Sequence, residues 1–149
     1  MKLLLDTTAL IDFLAGRRPY ADAVCKLCIG SVFGDLQLWV STQSFVDAYY
    51  VLRKSNDEAA VKQAMLASLE FFLPCGTYAA DLKPALESDW PDVEDYLVAY
   101  STKHIQADYL ITRDTELIDR SPVPALSAAE FLVYWEETQR LVYDEVELL

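Results

Sequence analysis

The chain has 149 residues, 53% of them apolar, with 24 acidic side chains against 12 basic ones and a formal net charge of -12. That is enough chain for one domain with a core, and the acidity excludes a basic domain that captures nucleic acid by long-range attraction. No apolar run reaches the length of a bilayer span, and Lys2, three leucines and Asp6 make too short a start for a signal peptide, so a cytoplasmic protein with no membrane partner is expected.

Taken in order, the elements alternate. Leu3 to Leu5 reads as a short apolar strand, and Thr7 to Leu14 as a helix entered directly from Asp6. Pro19 opens a second helix through Ala21, Val24, Leu27 and Cys28. Cys25-Lys26-Leu27-Cys28 has redox-motif spacing, but it falls within that helical pattern with no strand leading into it, so buried helix surface is the better reading. With one histidine and three cysteines, a structural zinc site is not expected.

Leu36 to Val40 is a second strand, after which Ser41 or Thr42 caps a helix running to about Lys54. Asn56-Asp57 starts another, with Ala60, Met65, Leu69 and Phe72 among its apolar positions, and a brief strand covers Phe72 to Cys75. Thr77 is expected to cap a helix through Leu86, and Asp92 one to about Gln106. Tyr109 to Thr112 is a buried strand, the segment after Pro124 an edge strand, and Ser127 the cap of a last helix. Strands separated by helices imply an α/β fold with right-handed crossovers and a parallel sheet covered on both faces. Neither an internal repeat nor a linker interrupts the chain, so residues 1–149 are read as one domain.

Four aspartates sit at structural boundaries. Asp6 ends the first strand, Asp47 lies within the third helix, Asp95 falls in the first turn after Asp92, and Asp114 follows Tyr109-Leu110-Ile111-Thr112-Arg113. Open parallel sheets place their chemistry at the C-terminal ends of strands, where Asp6 and Asp114 lie. Carboxylates gathered there repel one another, and a hard divalent cation with oxygen ligands resolves the repulsion. Helical spacing puts Asp92, Asp95 and Ala99 on one face, with Val93, Leu97 and Tyr100 as the packing face and room beside Asp95 at Ala99. Each acid also has a plainer reading: Asp6, Asp92 and Asp114 as helix caps, Asp47 as a solvated helix residue. His104 reads as a helix-end surface group, and Ser44 has no histidine partner that would make it a nucleophile. Arg17-Arg18, Arg53-Lys54 and Lys103-His104 flank the candidate segments as local basic patches.

The segments Leu4 to Asp12, Ser44 to Lys54, Asp92 to Leu97 and Asp108 to Asp114, closed by Ala125 to Leu132, resemble the PIN domain in order and over nearly the whole chain. The resemblance implies a three-layer α/β/α fold with a central parallel sheet and Mg²⁺ or Mn²⁺ held by acids at its C-terminal edge. Asp6, Asp47, Asp95 and Asp114 match the four catalytic acids, with Asp6, Asp95 and Asp114 as the metal ligands. Asp47 stands where many members have glutamate, and Thr8 where asparagine is usual, which bears on a second metal position. Thr7, Thr112, Asp92 and Ser44 are the supporting candidates, either orienting carboxylates and water or only capping and packing.

Stand-alone chains of this size resemble the toxin ribonucleases of prokaryotic toxin–antitoxin pairs. A metal-dependent endoribonuclease acting on RNA, with a small antitoxin as partner, is therefore the expected function. The alternatives are a metal-dependent phosphatase or DNA nuclease using the same acids, and a degenerate module that only binds protein. At the C-terminus, Leu132, Trp135, Val142, Val146 and Leu149 form an apolar helical stripe over a helical extension of about 133–149, read as docked on its own domain in the first half and as a homodimer surface in the second.

Overall fold

Leu3, Leu4 and Leu5 are fully buried because they lie on the middle strand of a sheet covered on both sides. The computed structural model describes residues 1–143. In it β1 (Lys2–Leu5) pairs with β2 (Gln37–Ser41) on one side and β4 (Tyr109–Ile111) on the other. Beyond them, β3 (Phe72–Cys75) pairs with β2 and β5 (Ala125–Leu126) with β4, giving the order β3-β2-β1-β4-β5, all parallel.

Alternation along β1 divides the core. Leu3 and Leu5 face α1 (Thr7–Ala15), α2 (Tyr20–Val32), α3 (Thr42–Leu52), α4 (Glu58–Ser68) and α8 (Ala128–Gln139), joining Leu10, Leu27, Phe72 and Phe131. Leu4 points the other way, toward α6 (Val93–His104) and α7 (Thr115–Arg120), with Val98, Ala99, Leu110 and Leu117. A 3₁₀ turn (Ala79–Asp81) and α5 (Leu82–Glu87) pack beside α6. The three-layer α/β/α architecture expected from the sequence is therefore present. Among the described residues no helix is long and apolar enough to cross a membrane.

Four local expectations are corrected. Thr77 caps nothing: α5 begins only at Leu82, which places Pro84 in the first turn, where its missing N–H costs no helical hydrogen bond. On α4 the buried positions are Val61 and Ser68, while Ala60 and Leu69 are exposed. The packing face of α6 is Tyr96, Val98, Ala99 and Thr102 rather than Val93, Leu97 and Tyr100, so Ala99 belongs to the core. Ser101 and Thr102 are buried there because their hydroxyls donate to the carbonyls of Leu97 and Ala99. Finally, α8 stops at Gln139, with Arg140 in the left-handed region at φ 55°, so Leu132, Trp135 and Val142 do not share one continuous helix. Val142 is exposed, and Val146 and Leu149 lie outside the described residues.

The chain after α8 returns to the core. Tyr143 is buried, its hydroxyl accepts from Trp135 Nε1 at 3.1 Å and donates to Asp35 Oδ2 at 2.9 Å. Its ring lies against Gly30, where an added Cβ would come within 2.8 Å of it.

Candidate active site

Asp6 is the hinge between β1 and α1, and both jobs use its carboxylate. Oδ1 accepts from Ala9 N at 2.8 Å, capping α1, and Oδ2 accepts from the Thr112 hydroxyl at 2.6 Å. The side chain is buried, and burial pushes its pKa up to about 6; the Thr112 and Ala9 hydrogen bonds oppose that rise, and the charges of Asp114 and Asp12 add to it.

Thr112 follows β4 and joins two of the acids. Its oxygen also accepts from Asp114 N at 3.0 Å, while Asp114 Oδ1 caps α7 by accepting from Glu116 N and Leu117 N at 2.9 and 3.4 Å. Asp95 enters from the opposite helical layer, in the first turn of α6, whose cap is Asp92 with Oδ1 3.2 Å from Asp95 N. Burial raises Asp95 to about 6, followed by the charges of Asp92, Asp114, Asp6 and Glu116. The charge of Asp114 thus acts on both Asp6 and Asp95, and that of Asp6 on Asp95. Among the described residues none of the three takes part in an ion pair.

Asp47 stands to one side. Gln43 Nε2 donates to its two oxygens at 3.2 and 3.3 Å, and it faces Glu94, a residue the sequence reading did not single out. Glu94 Oε1 accepts from the Thr7 hydroxyl at 2.8 Å, and Thr7 Oγ1 lies 2.8 Å from Ser44 Oγ, so Glu94 ties the first turns of α1, α3 and α6 together. Burial, then the hydrogen bond with Asp47, pushes Glu94 up to about 7. Three acids in four residues, Asp92 to Asp95, were the signal in the sequence, but only the packing of α6 on α3 shows which one turns toward Asp47.

The second residue missed is Asp12, buried in the apolar helix α1. Arg113 meets it in a bidentate pair, Nε to Oδ2 at 2.9 Å and Nη2 to Oδ1 at 3.3 Å, and Arg17 Nη1 is 3.8 Å away. A lone acid in an apolar helix signals a buried pair. The expected basic patches are largely neutralised: Arg18 meets Asp22, and Arg53 meets Glu58, each at 3.6 Å. His104 Nε2 lies 2.7 Å from Asp81 Oδ2, and its ring stacks on Tyr78 at 3.6 Å, so it clamps the end of α6 to the 3₁₀ turn.

Oxygen donors of this kind are what a hard divalent cation selects. Among the described residues no three acid, imidazole or thiol groups close to a single coordination sphere. The fit to a cation is therefore one of donor type and of negative charge without a cationic partner.

A parallel α/β/α sandwich with carboxylates gathered at one edge of its sheet defines the class, and the family is specific. Residues 2–116 match the PIN domain, and the chain belongs to that family. No curated protein matches the sequence. Solved structures share the fold at low identity. VapBC2 of Rickettsia felis, bound to a fragment of its promoter DNA, has a chain 16% identical, with a TM-score of 0.65 over 85% of this chain and 98% of that one. PAE2754 of Pyrobaculum aerophilum is 19% identical, with a TM-score of 0.66 over 93% and 97%. VapC20 of Mycobacterium tuberculosis, a toxin that cleaves the sarcin-ricin loop, is 10% identical, with a TM-score of 0.62 over 78% and 93%.

Proposed function

We propose that this protein is a divalent-metal-dependent endoribonuclease acting as the toxin of a toxin–antitoxin pair. The observation that carries the reading is the arrival of Asp6, Asp95 and Asp114 from three separate elements, with the charge of Asp114 adding to the raised pKa of both Asp6 and Asp95. Membership of the PIN family and a shared fold with an RNA-cleaving toxin support RNA as the substrate, and the shared fold with VapBC2 supports a small antitoxin as the partner.

Asp6, Asp95 and Asp114 would hold Mg²⁺ or Mn²⁺, which supplies Lewis-acid stabilisation of the charge that builds on the phosphate. The Thr112 hydroxyl fixes one oxygen of Asp6, so the carboxylate keeps its orientation as substrate enters. Glu94, titrating near neutrality beside Asp47, holds a proton at the edge of the site that the leaving oxygen needs. The single domain is the whole catalytic unit in this reading, and two copies associate as a homodimer.

Cleavage of single-stranded and structured RNA with Mg²⁺ or Mn²⁺, abolished by chelator and by Asp6→Asn, is the expected result. Chelator-resistant cleavage, or activity retained in Asp6→Asn, would overturn the site. Parallel DNA and phosphate-ester substrates separate the rival hydrolase readings, and a monomer in light scattering removes the homodimer. A binding-only module is the second reading, favoured by the absence of a closed coordination sphere among the described residues. It predicts no turnover of any of these substrates.

A further inference from the structure

Beside the acids lies a hollow of about 170 Å³ that the proposed chemistry leaves unused. Ala9, Pro19, Val24 and Ile111 give it apolar walls, and Tyr20 and Arg113 stand at it as polar-tipped groups. Arg113 sits between Thr112, whose hydroxyl holds Asp6, and Asp114. The hollow therefore shares a loop with Asp114, and the same loop holds Asp6 through Thr112.

The guanidinium of Arg113 is held on two sides. Buried Asp12 takes its Nε and Nη2 edge, and its Cζ lies 4.1 Å from the centroid of the Tyr20 ring. That makes a rigid, planar, cationic and aromatic surface rather than a mobile charge. Tyr20 remains 45% exposed, and Arg17, the second cation on Asp12, is half exposed. Two cations, Arg113 and Arg17, share the one Asp12 carboxylate here, in a chain of net charge -12.

We propose that Tyr20 and Arg113 form a nucleobase subsite, which receives one unpaired base of the RNA next to the scissile phosphate. This rests on the ribonuclease reading above. The argument is one of range: overall charge repels a polyanion at distance, so affinity must come from short-range stacking and one local cation. A planar base has the π-face to stack here, and its phosphate reaches Arg17. A partner protein's side chain entering the same hollow is the competing occupant.

The test uses the full chain in chelator, where binding is measured without turnover. Fluorescence anisotropy with a labelled single-stranded RNA is compared for the unaltered protein, Tyr20→Ala and Tyr20→Trp, with thermal melts as folding controls. Tyr20→Ala is expected to weaken binding roughly tenfold, and Tyr20→Trp to stay within about twofold, as an aromatic platform demands. In metal, an abasic residue scanned along the RNA is expected to depress cleavage at one offset from the cut, and that dip is expected to vanish in Tyr20→Ala. Cleaved RNA with no such offset and unchanged Tyr20→Ala affinity overturns the subsite while leaving the ribonuclease standing, and assigns the hollow to a peptide. RNA that is neither bound nor cleaved overturns both.

Discussion

Asp6 concentrates two opposed demands in one side chain. It must be a charged ligand in the proposed chemistry, yet burial favours its neutral form and raises its pKa from 3.8 to about 6. In the metal-free protein the folded state holds that proton at pH values where the unfolded chain has lost it. Stability therefore falls as pH rises from about 4 to about 6 and stays low above that. Asp95, raised in the same direction, and Glu94, raised to about 7, extend the fall toward neutrality. Asp6→Asn keeps the cap on Ala9 and removes the charge, so it is expected to be more stable than the parent at pH 8 without metal, by up to about 3 kcal/mol. Denaturant melts at pH 5 and pH 8 in chelator check this: a parent more stable at pH 8 than its Asn variant contradicts the account. In RNA cleavage the same variant is expected to be inactive.

At the scale of elements, the site is held by hydroxyls at strand ends. Thr112 bonds the β1–α1 junction through Asp6 and the start of α7 through Asp114 N. Thr112→Val keeps the shape and leaves a buried carboxylate oxygen and an N–H without that partner. It is expected to cost about 1–3 kcal/mol of stability and to lower the cleavage rate at least about tenfold by loosening Asp6. Unchanged kinetics in a variant that melts normally would remove Thr112 from the site. The contact of α2 with the chain after α8 is a separate matter of volume. Gly30→Ala would bring a methyl to 2.7 Å from Leu36 Cδ1 and 2.8 Å from the Tyr143 ring. A loss of about 1–3 kcal/mol in denaturant unfolding is expected, with cleavage activity unaffected. A neutral result would mean that Tyr143 is free to move aside.

For the whole molecule, uncompensated charge at one edge of the sheet makes stability depend on what binds there. Asp6, Asp95 and Asp114 belong to the end of β1, the first turn of α6 and the cap of α7, so they meet only in the native state. A cation bound among them stabilises that state by mass action. Mn²⁺ at 100 times its dissociation constant is expected to add about 2.7 kcal/mol and to raise the melting temperature by roughly 5–10 °C, reversibly with chelator. The gain is expected to disappear in Asp6→Asn. A melting curve indifferent to Mn²⁺ in the parent protein would favour the binding-only module.

The sequence by itself determined the sheet, the order of layers and most helix starts, because those follow from local rules. Leu3 to Leu5 read as a buried strand, since an unbroken apolar run must be covered on both faces, and Ser41, Asp57, Asp92 and Ser127 do cap the helices after them. Asp6, Asp95 and Asp114 were visible at element boundaries for the same reason, while Asp47 lies inside α3. Tertiary structure alone decided what depends on distant partners. Asp12 and Arg113 are 101 residues apart, and Glu94 meets Thr7 across 87. Neither contact has a local signature beyond an acid in an apolar helix and a third acid in a short run. Tyr143 was missed because a chain that leaves a helix at Arg140 and turns back to its own core has no periodicity to read. Where the backbone's own rules set a position, the residues announced it; where long-range packing and charge pairing set it, only the folded chain brought the partners together.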